Sequence, residues 1–279
     1  MSGGPVPMED RVIGRDNLVY AEHPIRFEPT PRWLRVYLGG VAIADSQRAM
    51  LLIEHHRMPV YYFPVEDVRM DLLEPTGRTK KDEPKGIQSL HTVRVGDRVA
   101  ERAAWMHEEI GSSGFDFRGY VGFYWDRMDS WYEEDDEVYV HPRDPYHRVD
   151  VQRSSRRVTV TVLGEVVAES DRPRLLFETG LPTRYYLPRQ DVRMDLLVPS
   201  DTTSQCPYKG VANYYSVRVG DTQAMDLVWY YRFPVPECPK IENLVCFFDE
   251  KVDSIEVDGH LVPKPDTPWA GKRVEKKVG

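Results

Sequence analysis

Tyr61-Tyr62-Phe63-Pro64-Val65-Glu66-Asp67-Val68-Arg69-Met70-Asp71-Leu72-Leu73 returns 124 residues later as Tyr185-Tyr186-Leu187-Pro188-Arg189-Gln190-Asp191-Val192-Arg193-Met194-Asp195-Leu196-Leu197. Ten of the thirteen positions are identical, against a chance match of roughly one in twenty at each. The chain is an internal duplication, and every structural question is asked once per copy.

The offset holds outward from the block without a gap. Ala44-Asp45-Ser46 meets Ala168-Glu169-Ser170, Glu54 meets Glu178, and Val93-Arg94-Val95-Gly96-Asp97 meets Val217-Arg218-Val219-Gly220-Asp221. Trp105 meets Trp229, and Val121 with Phe123 meets Val245 with Phe247. This register sets a first repeat at residues 32–140 and a second at 156–262. The stretch 141–155, which opens His141-Pro142-Arg143-Asp144-Pro145, reads as a semi-rigid connector, because proline removes backbone donors and holds the preceding residue extended. Residues 1–31 and 263–279 are polar and non-periodic and read as tails.

Within each copy the hydrophobic period is two. Leu34, Val36 and Leu38 alternate with Trp33, Arg35 and Tyr37 before a Gly39-Gly40 turn signal, and Val158, Val160 and Val162 alternate with threonines before Gly164. Tyr215, Val217 and Val219 alternate before Gly220-Asp221. No apolar helical stripe lasts three turns. The fold class expected is all-β, mainly antiparallel with little helix, in two tandem domains.

Hydrophobic content of 41% and charged content of 29% are ordinary for a globular chain. Aromatics at 11% suit strands and cores, and equally an aromatic-walled pocket. A formal charge of −8 argues against nucleic acid as a partner, since phosphate binding needs a basic face. Cys206, Cys238 and Cys246 are odd in number and without paired spacing, which points to a reducing, cytoplasmic compartment and to no structural zinc. No signal peptide or membrane-length apolar run is apparent, so no membrane partner is expected.

Two constellations carry recognition chemistry. Read as a strand, Asp191 to Leu197 puts Val192, Met194 and Leu196 on one face and Arg193 with Asp195 on the other. That arginine either grips an anionic ligand or forms a framework ion pair. The second is Cys206-Pro207-Tyr208-Lys209-Gly210. An extended course points Cys206 and Tyr208 the same way, and Lys209 would favour a thiolate; a buried cysteine beside a turn is the plainer alternative. In the first copy Asp82-Glu83-Pro84 replaces Cys206-Pro207-Tyr208 while Lys85-Gly86 is kept, so any chemistry of this motif belongs to the second copy. His141 and His147 read as solvated connector residues, and the run Glu133 to Glu137 as an exposed acidic loop. No phosphate-binding glycine loop and no G-x-S-x-G elbow occurs.

These motifs resemble, in order, those of the domain of unknown function 427 family, also labelled nucleotidyltransferase-like. They are Val166 to Ser170, Glu178-Thr179-Gly180, Tyr185 to Pro188, Asp191 to Leu197, Cys206 to Gly210 and Val217 to Gly220, with Trp229 and Val245 to Asp249. The resemblance spans both copies and implies a small β-rich, tent-like domain without implying an activity. The first copy departs from it at Asp82-Glu83-Pro84. Metal-holding carboxylates beside a phosphate cradle, which nucleotidyl transfer requires, are not evident.

The expected function is binding of a small anionic ligand by the second repeat. Tyr185, Tyr186, Tyr208 and Trp229 would line a pocket, and Arg193, Asp195 and Lys209 would supply polar contacts, with no cofactor. The alternatives are an enzyme, of nucleotidyltransferase-like type or with Cys206 as nucleophile and Lys209 as anion stabiliser, and a protein-interaction module presenting sheet edges.

Overall fold

The computed structural model describes residues 25–54, 57–271 and 273–278. Residues 25–144 and 145–278 fall into two compact units. The first contains β1 (Ile25–Pro29), β2 (Leu34–Leu38), β3 (Val41–Ser46), β4 (Met50–Glu54), β5 (Val60–Pro64), β6 (Leu73–Asp82), β7 (Gly86–Val95), β8 (Arg98–His107), β9 (Tyr120–Phe123), β10 (Ser130–Glu133) and β11 (Asp136–Val138). The second contains β12 (Val149–Arg153), β13 (Val158–Val162), β14 (Glu165–Ser170), β15 (Arg174–Glu178), β16 (Arg184–Leu187), β17 (Leu197–Cys206), β18 (Gly210–Val219), β19 (Thr222–Pro234), β20 (Val245–Phe247), β21 (Ser254–Val257), β22 (His260–Leu261) and β23 (Glu275–Lys277).

All pairings between these strands are antiparallel. The first unit has a large sheet in the order β1-β4-β5-β9-β8-β7-β6 and a small one in the order β11-β10-β2-β3. The second repeats this as β12-β15-β16-β20-β19-β18-β17 and β14-β13-β21-β22, with β23 added against β19. Among the described residues, helix is confined to three-residue 3-10 turns, and none is long and apolar enough to cross a membrane. The all-β, tandem expectation holds.

Alternation explains the paired tyrosines. Tyr61 and Phe63 on β5 enter the core between the sheets with Leu34, Val36 and Leu38. Tyr62, between them, enters a second cluster on the opposite face of the large sheet, with Trp105 and Phe117. Tyr185 and Leu187 likewise join one core and Tyr186 the other, with Trp229 and Ile241. The Tyr-Tyr pair supplies one ring to each of two cores, so both positions are fixed by packing.

Several expectations need correction. The segment Asp191 to Leu197 is not a strand but two 3-10 turns, Arg189–Asp191 and Met194–Leu196, ahead of β17. Val192 is still buried, with Met194 and Leu196 packed on the same core, so the apolar alternation was real while the strand was not. Arg193 N–H donates to Val167 O over 2.8 Å, and Ala168 bridges Val192, which ties the turns to β14; Arg69, Ile43, Ala44 and Val68 do the same in the first unit. Strand β1 lies in the stretch read as a tail, β12 in the stretch read as connector, and β23 in the C-terminal tail. Strands β1 and β12 alternate over only two apolar positions each, and β23 has none, too little to register as strands.

Candidate functional site

Strands β17 and β18 meet at a tight turn over Pro207, Tyr208 and Lys209, closed by Gly210 at φ 105°. A Cβ at Gly210 would come within 3.2 Å of Phe233 O. At the equivalent Gly86, with φ 90°, it would come within 2.5 Å of Glu109 O. Glycine is required because the hairpin backs onto the backbone at the end of the adjoining strand. Val235 N–H donates to Lys209 O over 3.1 Å, fixing the turn against the end of β19. Since the hairpin turns here, Cys206 and Tyr208 are not successive outward residues of one strand, contrary to the extended reading.

The turn drives Lys209 inward. Its ammonium donates to both oxygens of Glu178, at the end of β15, over 2.6 and 2.5 Å, and both side chains are buried. His147 donates from Nε2 to Glu178 Oε1 over 3.0 Å, which assigns the tautomer because a carboxylate only accepts. The His147 ring stacks on Tyr208, with centroids 4.2 Å apart. Burial works against the Glu178 carboxylate, but His147 and Lys209 outweigh it and hold its pKa below the ordinary range. Burial likewise opposes the Lys209 ammonium, and Glu178 outweighs that and raises its pKa. Both groups are charged at neutral pH.

On the same side of the large sheet, Trp229 Nε1 donates to the Tyr186 hydroxyl over 3.0 Å. Cys238 and Cys246 pack in that cluster. Burial pushes Cys238 up to about 11 and Cys246 well above its ordinary value, so both are inert thiols at neutral pH. Cys206 is only half-buried and stands beside the turn.

The first unit carries the same pair with different neighbours. Lys85 donates to both oxygens of Glu54 over 2.7 Å. Asp82, at the position of Cys206, lies 2.9 Å from Lys85 and accepts from Arg57 over 3.0 Å. Behind it Trp105 Nε1 donates to Tyr62 OH over 3.0 Å. Tyr62 OH in turn lies 3.0 Å from His107 Nε2, and His107 Nδ1 lies 2.9 Å from Lys85 O. Burial lowers the His107 pKa, so the neutral ring donates from Nδ1 to that carbonyl and accepts the Tyr62 proton at Nε2.

The residues expected to form one pocket divide in two. Cys206, Tyr208 and Lys209 share the hairpin, and Tyr186 and Trp229 lie on that side of the sheet. Tyr186, Trp229 and Tyr185 are core residues rather than pocket walls, with exposures of 1%, 8% and 5%. Tyr185 faces the other core. Arg193 is exposed, and its Nε and NH2 donate to the two oxygens of Asp195 over 2.9 and 2.7 Å; Arg69 holds Asp71 in the same way. The neighbouring Asp191 accepts from Ser170 over 2.7 Å and from both Arg172 Nε and NH2 over 3.0 and 2.8 Å. Among the described residues, none of these pairs shares a hydrogen bond with Lys209.

Glu178 and His147 are the site residues that sequence reasoning missed. The signal for Glu178 was the joint retention of Glu54 with Lys85 and of Glu178 with Lys209 in one register. His147 sits in a proline-bearing connector, and its contacts lie 31 and more residues away, where local sequence gives no sign of them.

The model of the domain of unknown function family DUF427 matches residues 26–134 and again 150–258. The chain belongs to the DUF427 family. Each match takes in most of one large and one small sheet, stopping short of β11 in the first and of β22 and β23 in the second, and each DUF427 copy contains its own buried lysine–glutamate pair. A comparison with curated proteins finds no match.

Proposed function

We propose that the second DUF427 repeat binds a small anionic molecule through its carboxylate or phosphate group, at the hairpin bearing Cys206 and Lys209. One observation carries this reading. Where Cys206 stands in the second repeat, the first has the Asp82 carboxylate, held by Lys85 at 2.9 Å and Arg57 at 3.0 Å. Among the described residues Lys85 therefore has two carboxylate partners and Lys209 has one, Glu178. An incoming anion takes the place of the second carboxylate, with Lys209 as donor, His147 holding Glu178 beside it and Tyr208 at the rim. Charge-assisted hydrogen bonds of this kind are roughly twice as strong as neutral ones. The three free thiols accord with a reducing, cytoplasmic setting, and the formal charge of −8 opposes a nucleic-acid partner.

The test uses the intact chain and the variant Cys206→Asp, which copies the first repeat. Acetate, succinate and inorganic phosphate are titrated while the melting temperature is followed, because a ligand that binds the folded state stabilises it by mass action. Saturable stabilisation is expected for the wild-type chain and for Cys206→Ser. It is expected to vanish in Cys206→Asp, whose own carboxylate fills the place. No response from the wild-type chain, or an equal response from Cys206→Asp, removes the proposal.

The same equivalence favours a second reading, in which a Cys206 thiolate replaces the Asp82 carboxylate and acts as a nucleophile. Iodoacetamide labelling at neutral pH separates the two. This reading expects Cys206 to react far faster than Cys238 or Cys246 and faster than a cysteine in a short unstructured peptide. Labelling no faster than such a peptide disposes of it.

A further inference from the structure

The outer face of the first repeat's small sheet differs from its counterpart in a way that folding does not demand. Strands β2 and β10 pair with Arg35 opposite Tyr132 and Tyr37 opposite Ser130. The matching strands β13 and β21 pair with Thr159 opposite Glu256 and Thr161 opposite Ser254. Both sheets have the same order and register, so threonine and glutamate suffice for the fold. The first repeat nonetheless places a ladder of flat groups there. The Arg35 guanidinium lies 4.1 Å over the Trp33 ring and 5.5 Å from that of Tyr132, and Tyr132 meets Tyr37 edge to face at 5.6 Å.

Arg35, Tyr37 and Tyr132 line an open depression of about 400 Å³ with Gly40, Asp129, Ser130 and Asp135, within the size range of small-molecule sites, and Trp33 supports Arg35 from beside it. Its charges are balanced before any ligand arrives. Asp135 accepts from Arg35 over 3.0 Å, and Asp129 accepts from Arg98 over 2.6 Å and from Gly39 N–H over 2.7 Å. The lining thus offers braced carboxylates as acceptors, a guanidinium and a hydroxyl, beside two half-buried tyrosine rings.

We infer that this depression is a binding site for a neutral saccharide. A sugar presents apolar C–H faces that stack on aromatic rings and hydroxyls that both donate and accept. It carries no charge that would have to compete with the arginine–carboxylate pairs already formed. A free anion would meet Asp129 and Asp135, and a free cation would meet Arg35. The lining residues all belong to the first unit, and Cys206→Asp changes none of them.

The intact chain is applied to an array of neutral gluco-, galacto- and N-acetylglucosamine-type oligosaccharides, and binders are measured by calorimetry. The variants Tyr37→Thr and Tyr132→Glu install the residues that the second repeat carries at these positions. Each is expected to melt as the wild type does and to bind at least tenfold more weakly. Absence of any saccharide binder overturns the inference. So does a binder whose affinity neither variant changes, and so does selective binding of nucleosides or of charged sugars alone. A variant that melts early is replaced by Asp135→Gly, the second repeat's residue at an exposed turn, with the same expected loss.

Discussion

Lys209 and Glu178 form an ion pair, 2.6 Å long at its Oε1 arm, that is buried at the base of a hairpin, and Lys85 with Glu54 repeats it 124 residues earlier. Such a pair is costly to break and cheap to replace, because removing one partner leaves the other charged in a medium that solvates it poorly. Lys209→Met is therefore expected to destabilise the second unit by about 3–5 kcal/mol. Lys209→Met combined with Glu178→Leu is expected to recover most of that loss. Urea denaturation of the two single variants and the double variant measures the coupling. A double variant as unstable as the sum of the singles would show that the two charges act independently.

The tyrosine–tryptophan hydrogen bond behind each pair gives a comparison within one molecule. Tyr186→Phe strands the Trp229 indole N–H in a buried cluster, at a cost of about 1–3 kcal/mol. Tyr62→Phe strands Trp105 and also removes the shorter of two contacts to His107 Nε2, leaving Gln88 Nε2 at 3.4 Å, so the first unit is expected to lose more than the second. Amide hydrogen exchange resolves the two units within the intact chain. Equal losses would mean that the Tyr62–His107 contact contributes nothing.

Arg193→Ala is expected to leave both the melting temperature and any anion response unchanged. Its guanidinium is exposed and already occupied by Asp195, and exposed pairs are weak contributors to stability. Differential scanning fluorimetry with and without phosphate measures both. A lost anion response would place Arg193 in the binding site after all.

How far the sequence could be read follows from these cases. The period-two pattern and the register around Tyr61 and Tyr185 contain the sheets, because alternation is a local property that burial imposes on every strand. The 3-10 turns at Met70–Leu72 and Met194–Leu196 escape that reading, since a short turn can also put Val192, Met194 and Leu196 inward. Arg193 suggested a ligand contact by its charge, but its shared face with Asp195 also allowed an ion pair, and that pair is what forms. Glu178 and His147 lay beyond any local pattern. A buried carboxylate is identified by what satisfies it, and here that is a lysine 31 residues on and a histidine 31 residues back.

Asp249 makes the pH dependence of the second unit unusual. It lies 3.2 Å from Arg184 NH1, yet its Oδ1 accepts no well-directed hydrogen bond, because Arg184 is committed to Glu250 over 2.9 and 2.6 Å. Burial, only partly offset by Arg184, pushes the Asp249 carboxyl up to about 7. Its folded pKa therefore exceeds its unfolded value of 3.8, and the folded state holds the proton longer. Stability associated with this group is full below the unfolded pKa, falls as pH rises towards 7 by about 1.4 kcal/mol per pH unit, and levels off above it. Glu178 acts in the opposite sense: its pKa is depressed, so its contribution is present above the ordinary carboxylate range and is lost only on further acidification. Asp249→Asn removes the first effect and leaves the second. The variant is expected to match the wild type near pH 4 and to exceed it by a few kcal/mol at pH 8, with the difference opening between those limits. Urea denaturation at pH 4, 5.5, 7 and 8 follows it. A variant less stable than wild type at pH 8 would show that ionised Asp249 is held favourably by Arg184, and that burial does not dominate at this position.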